Sequence, residues 1–492
     1  MANRVLTVRR GEEGVAAHTL RDGIARIQTE LHVTPEFPPE VEAAAADAVA
    51  HPRLPALDRT DIPFVTIDPA SSLDLDQALH IERSGDGFRV FYAIADVAAF
   101  VTAGDPVDLE AHRRGETLYG ADSKIPLHPK VISENAGSLL ADQVRPALLW
   151  QVEVDSTGEG THVTVERALV RSRAKLSYDG VQTSIDDGTA EEVFTLLREV
   201  GERRLRKEAE RGGVSLPLPE QEIDIDGDTW SLEFRELHPV EQWNAQISLL
   251  VGMGAATLMT GAGVGLLRTL PPADPRDVKR LHRVAHGLQI DWPADLPYPE
   301  FIRSLDPARS RDAAMVVAST RVLRGAAYVG FDGAPPEQPI QSAIAAPYAH
   351  VTAPLRRLAD RYAGEICVAI CAGQPVPQWV LDELDGLPET MRDSSRRASQ
   401  YENAILSLVE AALLQGRVGE QFPAVIVEVD ERDERRGDIT IAEPAIEAVV
   451  TSADPLPLGS DVSVTLVKAD VASRQIAFSW GTEATPRASP AS

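Results

Sequence analysis

The sequence predicts an α+β protein: a mixed sheet packed with helices, followed by a small C-terminal β-barrel. Three observations carry that prediction. Alternating apolar runs fill 64–95 and 146–183, helical spacing of apolar residues dominates 240–412, and short strand-like runs follow up to residue 480. A length of 492 residues implies about two to four domains, or one large core with appendages. Hydrophobic residues at 43% and charged residues at 25% are ordinary globular values, which exclude a wholly disordered or collagen-like chain. The net charge of −27 excludes an unselective basic coat that binds nucleic acid through bulk charge. It leaves room for a local basic channel inside an acidic shell.

Taken in order, residues 1–57 are rich in Ala and Glu, with helical patterns near 19–31 and 39–50. HPRLPALDRT, from His51 to Thr60, reads as a linker broken by proline. From Phe64 come FVTID, ALHIER, the turn SGDG and FRVFYAIADV, which predict a hairpin with a four-residue loop. PALLWQVEVD and THVTVERALVRSRAKLSY continue the strands, and 188–212 reads as a charged helix. IDIDGDTWSLEF predicts another hairpin with Asp226-Gly227 in its turn. It resembles a calcium loop only superficially, because the twelfth position from Asp224 is Arg235 rather than Glu. Helices are predicted at 240–260, 274–289, 306–328, 355–373 and 378–415. AVIVEVD, DITIA, DVSVTLVKAD and RQIAFSW then give the barrel, and EATPRASPAS reads as a disordered tail.

The two cysteines, Cys367 and Cys371, lie four apart in EICVAIC and read as small buried hydrophobes on one helix face. No disulfide framework is possible at this size. No run approaches the ~18 apolar residues of a transmembrane helix, and MANRVLTVRRGEEG lacks the apolar core of a signal peptide. A soluble cytoplasmic protein is expected.

The strongest chemical feature is TIDPASSLDLDQALHIE. Asp68 closes an apolar strand. Asp74 and Asp76 are i and i+2, so an extended backbone points both to one face. PASS, between Asp68 and Asp74, can fold back and bring Asp68 near them. Converging carboxylates repel unless a cation compensates them, and hard oxygen donors without His or Cys suit magnesium or manganese. The same spacing also suits a solvated acidic turn.

TIDPASSLDLDQALHIE followed by YAIADVAAFV resembles the signature of the ribonuclease II catalytic domain, the RNB domain. RRGETLYGADSKIPLHPKVISENAGSL, AKLSYDGV, APYAHVTAPLRRLADRY and RASQYENAIL with GRVGEQFPAVIVEV resemble later blocks of the family, in the right order. The likeness spans about residues 57–482. It implies four parts: a short helical N-terminal region (1–57), an RNB domain (58–415), an S-one-type OB barrel (416–482) and a tail (483–492). Family members usually carry two cold-shock barrels before the catalytic domain, so the resemblance implies a short version. The implied activity is 3′-to-5′ exoribonuclease hydrolysis of single-stranded RNA to nucleoside 5′-monophosphates. The implied partner is the RNA 3′ end, with neither DNA nor a membrane expected.

The resemblance assigns catalytic roles to Asp68, Asp74, Asp76, Arg356 and Glu402. A metal, Mg or Mn, would sit on Asp68, Asp74, Asp76 and Gln77. RNA contacts would come from Tyr119, stacking on the terminal base, and Tyr178, beside the ribose, with Gln246, His350 and Thr352. Gln77 is the main departure, since the family pattern has Asp there. Leu216 stands where the family often has an aromatic jaw, and Gln246 where a ribose-contacting Glu is usual. The C-terminal barrel is itself acidic, with 12 acidic and 5 basic residues from Gly419 to Trp480. A second reading therefore stays open: a catalytically weak or inactive RNB-domain protein that binds RNA, or a scaffold in an RNA-decay assembly.

Overall fold

Two closed five-stranded barrels organise the chain. The structure, a computed structural model, describes residues 7–9, 15–121, 124–216, 220–226, 229–235 and 237–481. The first barrel is formed by Phe64–Ile67, Gln77–Ser84, Gly87–Ala95, Val144–Val154 and Gly160–Leu176, hydrogen-bonded in that order. Neighbours are antiparallel until the ring closes, where Phe64–Ile67 runs parallel to the far end of Gly160–Leu176. That last strand is 17 residues long, so one stretch pairs with Val144–Val154 and the rest with Phe64–Ile67. The hairpin loop has two residues rather than four. Ser84 pairs with Gly87, and Gly85 turns the chain at φ +61°, a conformation that glycine adopts without steric cost.

Side chains alternate along these strands and feed two cores. Leu79, Ile81, Val90, Tyr92, Trp150 and Val152 face one, shared with the helices. Ala78, Phe91, Ala93 and Leu149 face the other, shared with the N-terminal region.

Twelve α-helices are described: α1 (Val15–Glu30), α2 (Pro39–Ala50), α3 (Pro106–Arg114), α4 (Tyr178–Asp186), α5 (Glu192–Arg211), α6 (Pro239–Ala262), α7 (Pro275–Gly287), α8 (Tyr298–Arg303), α9 (Ser310–Ser319), α10 (Leu358–Cys371), α11 (Gln378–Glu383) and α12 (Leu387–Leu414). Their ends follow from sequence. Asp105 caps α3 by accepting the Asp108 N–H, with Pro106 at the first helical position, and Asp274 with Pro275 does the same for α7. The predicted helix at 306–328 is shorter, because the chain leaves α9 through a 3₁₀ turn and Gly325 takes φ +94°. The predicted 378–415 helix divides into α11 and α12.

Contrary to the sequence expectation, α6 is long and apolar enough to cross a membrane. It is a core helix here, burying Trp243, Ile247, Leu250 and Val251 against α5 and α10. Gly252 lets the chain at Tyr348–Ala349 approach, since an added Cβ would stand 2.6 Å from the Ala349 carbonyl oxygen. Cys367 is buried, but Cys371, at the last residue of α10, is exposed, and both are free.

The N-terminal segment does not stand apart. Thr7–Arg9 pairs in parallel with Glu220–Asp226 of the predicted hairpin, whose turn at 227–228 lies outside the described residues. Leu20, Ile24 and Ile27 of α1 join a core with Leu408 and Val409 of α12. The second barrel comprises Gln421–Val429, Arg436–Ile441, Ile446–Ser452, Asp461–Asp470 and Gln475–Trp480. It closes through a parallel pairing of Ile446–Ser452 with Gln475–Trp480. Phe422 and Phe478 fill its interior and Trp480 is half-buried, so its aromatics serve packing rather than an open face. The predicted tail, 483–492, lies outside the described residues.

Candidate active site

The loop from Asp68 to Asp76 joins the first two strands of the first barrel. Several bonds fix its path. Lys175 donates to the carbonyls of Ala70 (2.8 Å) and Ser72 (2.5 Å). The Ser138 hydroxyl accepts the Leu75 N–H at 2.9 Å and donates to the Leu73 carbonyl at 2.6 Å. The predicted fold-back of PASS is therefore present, with the Ser72 N–H bonded to the Pro69 carbonyl.

Asp76 is buried. Its carboxylate accepts the Leu355 N–H at 2.8 Å and lies 3.5 Å from Arg356 Nε. Burial pushes its pKa well up, and Arg356 opposes the shift. The arginine keeps about half of its side chain exposed, so its charge also faces solvent. The turn that carries it is rigid: Asp360 accepts the Ala353 N–H at 2.7 Å and grips Arg357 at 2.5 and 2.9 Å. The segment 115–119 runs beside this turn through Thr117 N–H to the Arg356 carbonyl, 2.9 Å. That pairing sets Tyr119 against Arg356, near Asp74 and Asp76, and burial pushes its phenol up to about 12.

Asp68 is half-buried, and no hydrogen bond or ion pair from the described residues reaches its carboxylate. Burial, with Asp74 nearby, raises its pKa to about 7. An unpaired, partly desolvated carboxylate fits a hard cation. Asp74 instead meets Lys124 Nζ at 2.5 Å, and the same ammonium lies 3.2 Å from Glu134. Among the described residues, no three His, Cys, Asp or Glu side chains are gathered closely enough to hold a metal ion. Asp68 and Asp74 supply two hard carboxylate donors, which would suit magnesium or manganese with water or a phosphate completing the shell.

Gln77 does not fit its expected part as a ligand. Its carbonyl oxygen accepts the Tyr92 hydroxyl at 2.5 Å, and its amide donates to the Thr352 carbonyl at 2.8 Å. Both ends are therefore committed to the scaffold. The contact that Thr352 supplies here is this backbone carbonyl.

Tyr178 begins α4, and its hydroxyl accepts from Asn244 of α6 at 3.1 Å, with Asp68 and Glu241 among its charged neighbours. Gln246 is a correction. It is buried on the opposite side of α6, where it donates to Glu208 at 2.6 Å. Asn244 and Ser248, four apart, share the face toward the site, and Ser248 lies 2.9 Å from the Tyr92 hydroxyl. Tyr92, Asn244 and Ser248 were missed in the sequence because each reads as an ordinary strand or helix residue.

His350 is enclosed by Tyr328 and Tyr348, with Nδ1 2.6 Å from the Tyr328 hydroxyl. Burial and the arginines 357, 268 and 356 hold its imidazole well below the usual pKa, so it is uncharged. Glu402 lies half-buried on α12. Burial, with the repulsion of Glu116, raises its pKa to about 7, and the Glu116 backbone pairs with that of Arg357. Leu216 packs into the core formed by α7, α8 and α9.

The RNB domain family matches residues 57–371, and the RNase II-type exonuclease C-terminal S1 domain matches residues 420–480. Ribonuclease R of Aquifex aeolicus (strain VF5) is 26% identical over 389 residues, covering 74% of this chain. The chain spans 53% of the length of that relative. The fold is similar to that of Mycoplasma genitalium RNase R in complex with ribose methylated single-stranded RNA, with a TM-score of 0.82 and 18% identity over 94% of this chain and 78% of that one. It is also similar to yeast Ssd1, a pseudonuclease, with a TM-score of 0.70 and 15% identity over 90% of this chain and 57% of that one. The acidic loop, the Arg356 turn and the terminal barrel thus stand inside one matched framework, and the chain belongs to the ribonuclease II family of RNB-domain proteins.

Proposed function

We propose that this chain is a divalent-metal-dependent 3′-to-5′ exoribonuclease that shortens single-stranded RNA and releases nucleoside 5′-monophosphates in the cytoplasm. The observation that carries the reading is the half-exposed Arg356 held on buried Asp76, beside the unpaired Asp68 carboxylate and Tyr119. Asp76 and Tyr119 orient the guanidinium, whose remaining donors suit the paired oxygens of a phosphate. The Tyr119 ring offers a face to the terminal base, and such stacking tolerates any sequence. Tyr178, set by Asn244, stands near Asp68 where a ribose 2′-hydroxyl could be read. Asp68 with Asp74 would hold magnesium or manganese. When bound, the ion supplies an activated water and neutralises charge on the scissile phosphate.

A second reading, an RNA-binding protein that does not cut, is favoured by one observation: Gln77 brings no charge and is bonded at both ends. A time course with 5′-labelled oligo(A) RNA, in magnesium, manganese or chelator, separates the two. The nuclease reading expects a metal-dependent ladder that is absent with Asp76→Asn and with the matched DNA. Retained RNA binding without shortening in either metal selects the second reading.

A further inference from the structure

We infer that Lys124 is a built-in cation of the acidic site, competing with a divalent ion for Asp74. This inference rests on the metal-dependent reading of the same site. Lys124 Nζ lies 2.5 Å from Asp74 Oδ1 and 3.2 Å from Glu134 Oε1. The three side chains keep only 21%, 14% and 15% of their surfaces exposed, so the contact is largely shielded from solvent screening.

Two strands hold the ammonium in place. Leu118–Tyr119 and Lys124–Ile125 form a short antiparallel ribbon, with Tyr119 directly opposite Lys124. Glu134 comes from a π-helical turn, Ile132–Ala136, on the other side. The lysine therefore sits between a fixed turn and the residue that faces Arg356.

The charge arithmetic of the site gives the consequence. Asp76 is compensated by Arg356 and Asp74 by Lys124, while Gln77 contributes no charge. Asp68 alone makes no close ion pair among the described residues, although the charges of Arg356 and Lys175 act on it from further off. An ammonium on Asp74 repels an incoming divalent ion and occupies one of the oxygens it would need. The chain thus replaces part of the metal requirement with its own charge. Lys124 acts through Asp74 and is a positioning residue rather than a catalytic one.

Manganese binding, followed by the loss of the free-ion EPR signal, tests this directly on the full chain without RNA. Lys124→Met is expected to tighten Mn²⁺ binding by at least about tenfold, while Lys124→Arg, which keeps the charge, leaves it near wild type. Tightening is a result that simple damage to the site would not give. Unchanged or weaker Mn²⁺ binding in Lys124→Met overturns the inference, and so does equal tightening in Lys124→Arg. Lys124→Gln serves in place of the methionine variant if circular dichroism shows that variant unfolded. Oligo(A) shortening by the wild type is measured in parallel. An inactive wild type whose Mn²⁺ affinity rises on loss of the lysine overturns the nuclease reading and keeps this one.

Discussion

Each barrel has an acidic loop between its first two strands, and the two loops behave in opposite ways. In the second barrel, Asp430, Glu431, Asp433 and Glu434 are all exposed. Asp430 accepts the Arg432 N–H at 2.7 Å, and Asp433 accepts the Arg435 N–H at 3.2 Å with the Arg435 side chain at 3.0 Å. Those bonds hold the Asp433 carboxyl below its usual pKa. In the first barrel, Asp68 lacks such partners, and burial raises it to about 7. Both loops are acidic and hold the same topological place, but the second interleaves its acids with Arg432 and Arg435 and stays exposed, whereas the first has no basic residue of its own and is desolvated. An acidic stretch in a sequence marks a site only where other segments close over it, as the Arg356 turn and the 115–119 segment do here.

The largest break in that comparison comes from the covering turn. Arg356→Ala should lower the rate of RNA shortening by about 10²–10³-fold, while the fold, checked by circular dichroism, survives because the side chain is half-exposed. A loss below about fivefold would mean that Arg356 does not touch the phosphate. Tyr119→Ala should weaken RNA binding by about 1–3 kcal/mol per stacked base, read as a higher KM with a smaller change in kcat. Because Asp68 must be ionised to hold a cation, activity should rise by about tenfold between pH 6 and pH 8, following its pKa of about 7. A pH profile flat across that range would remove Asp68 from the titrating set.

Stability should move the other way. Asp68 and Glu402 hold protons in the folded state at pH values where the unfolded chain has lost them. Their contribution is complete below about pH 4 and is lost as pH rises through about 7. Glu402→Gln should therefore raise stability at pH 8 by about 1–2 kcal/mol and leave it unchanged at pH 4, measured by urea unfolding. The smallest effect belongs to the second barrel. Arg432→Ala with Arg435→Ala removes two exposed charges, one of them already paired with Asp433 in its own loop, and should change KM for oligo(A) by less than about threefold.

Local pattern made much of this fold legible. The helices α6, α7, α10 and α12 follow from apolar spacing, and the starts of α6 and α7 follow from Pro239 and from Asp274 with Pro275. Motif order placed Asp68, Asp76, Arg356 and Tyr119 in one neighbourhood. Barrel closure was not legible, because Phe64 finds its partner Ser172 more than a hundred residues later. Gln246 was assigned by linear position, whereas helix phase gives the site-facing side to Asn244 and Ser248. Lys124 carried no signal, since neither Asp74 nor Glu134 lies beside it in sequence.

The docking of α1 on α12 bears on how the chain is made. Leu20, Ile24 and Ile27 find their partners only once residues beyond about 400 have left the ribosome. At synthesis rates of about 5–20 residues per second, that leaves an apolar helix face uncovered for tens of seconds. Strand Thr7–Arg9 waits similarly for Glu220–Asp226. Residues 7–30 are thus made well before the segments on which they settle. Newborn chains pass through a long interval in which a chaperone has an accessible apolar helix to hold.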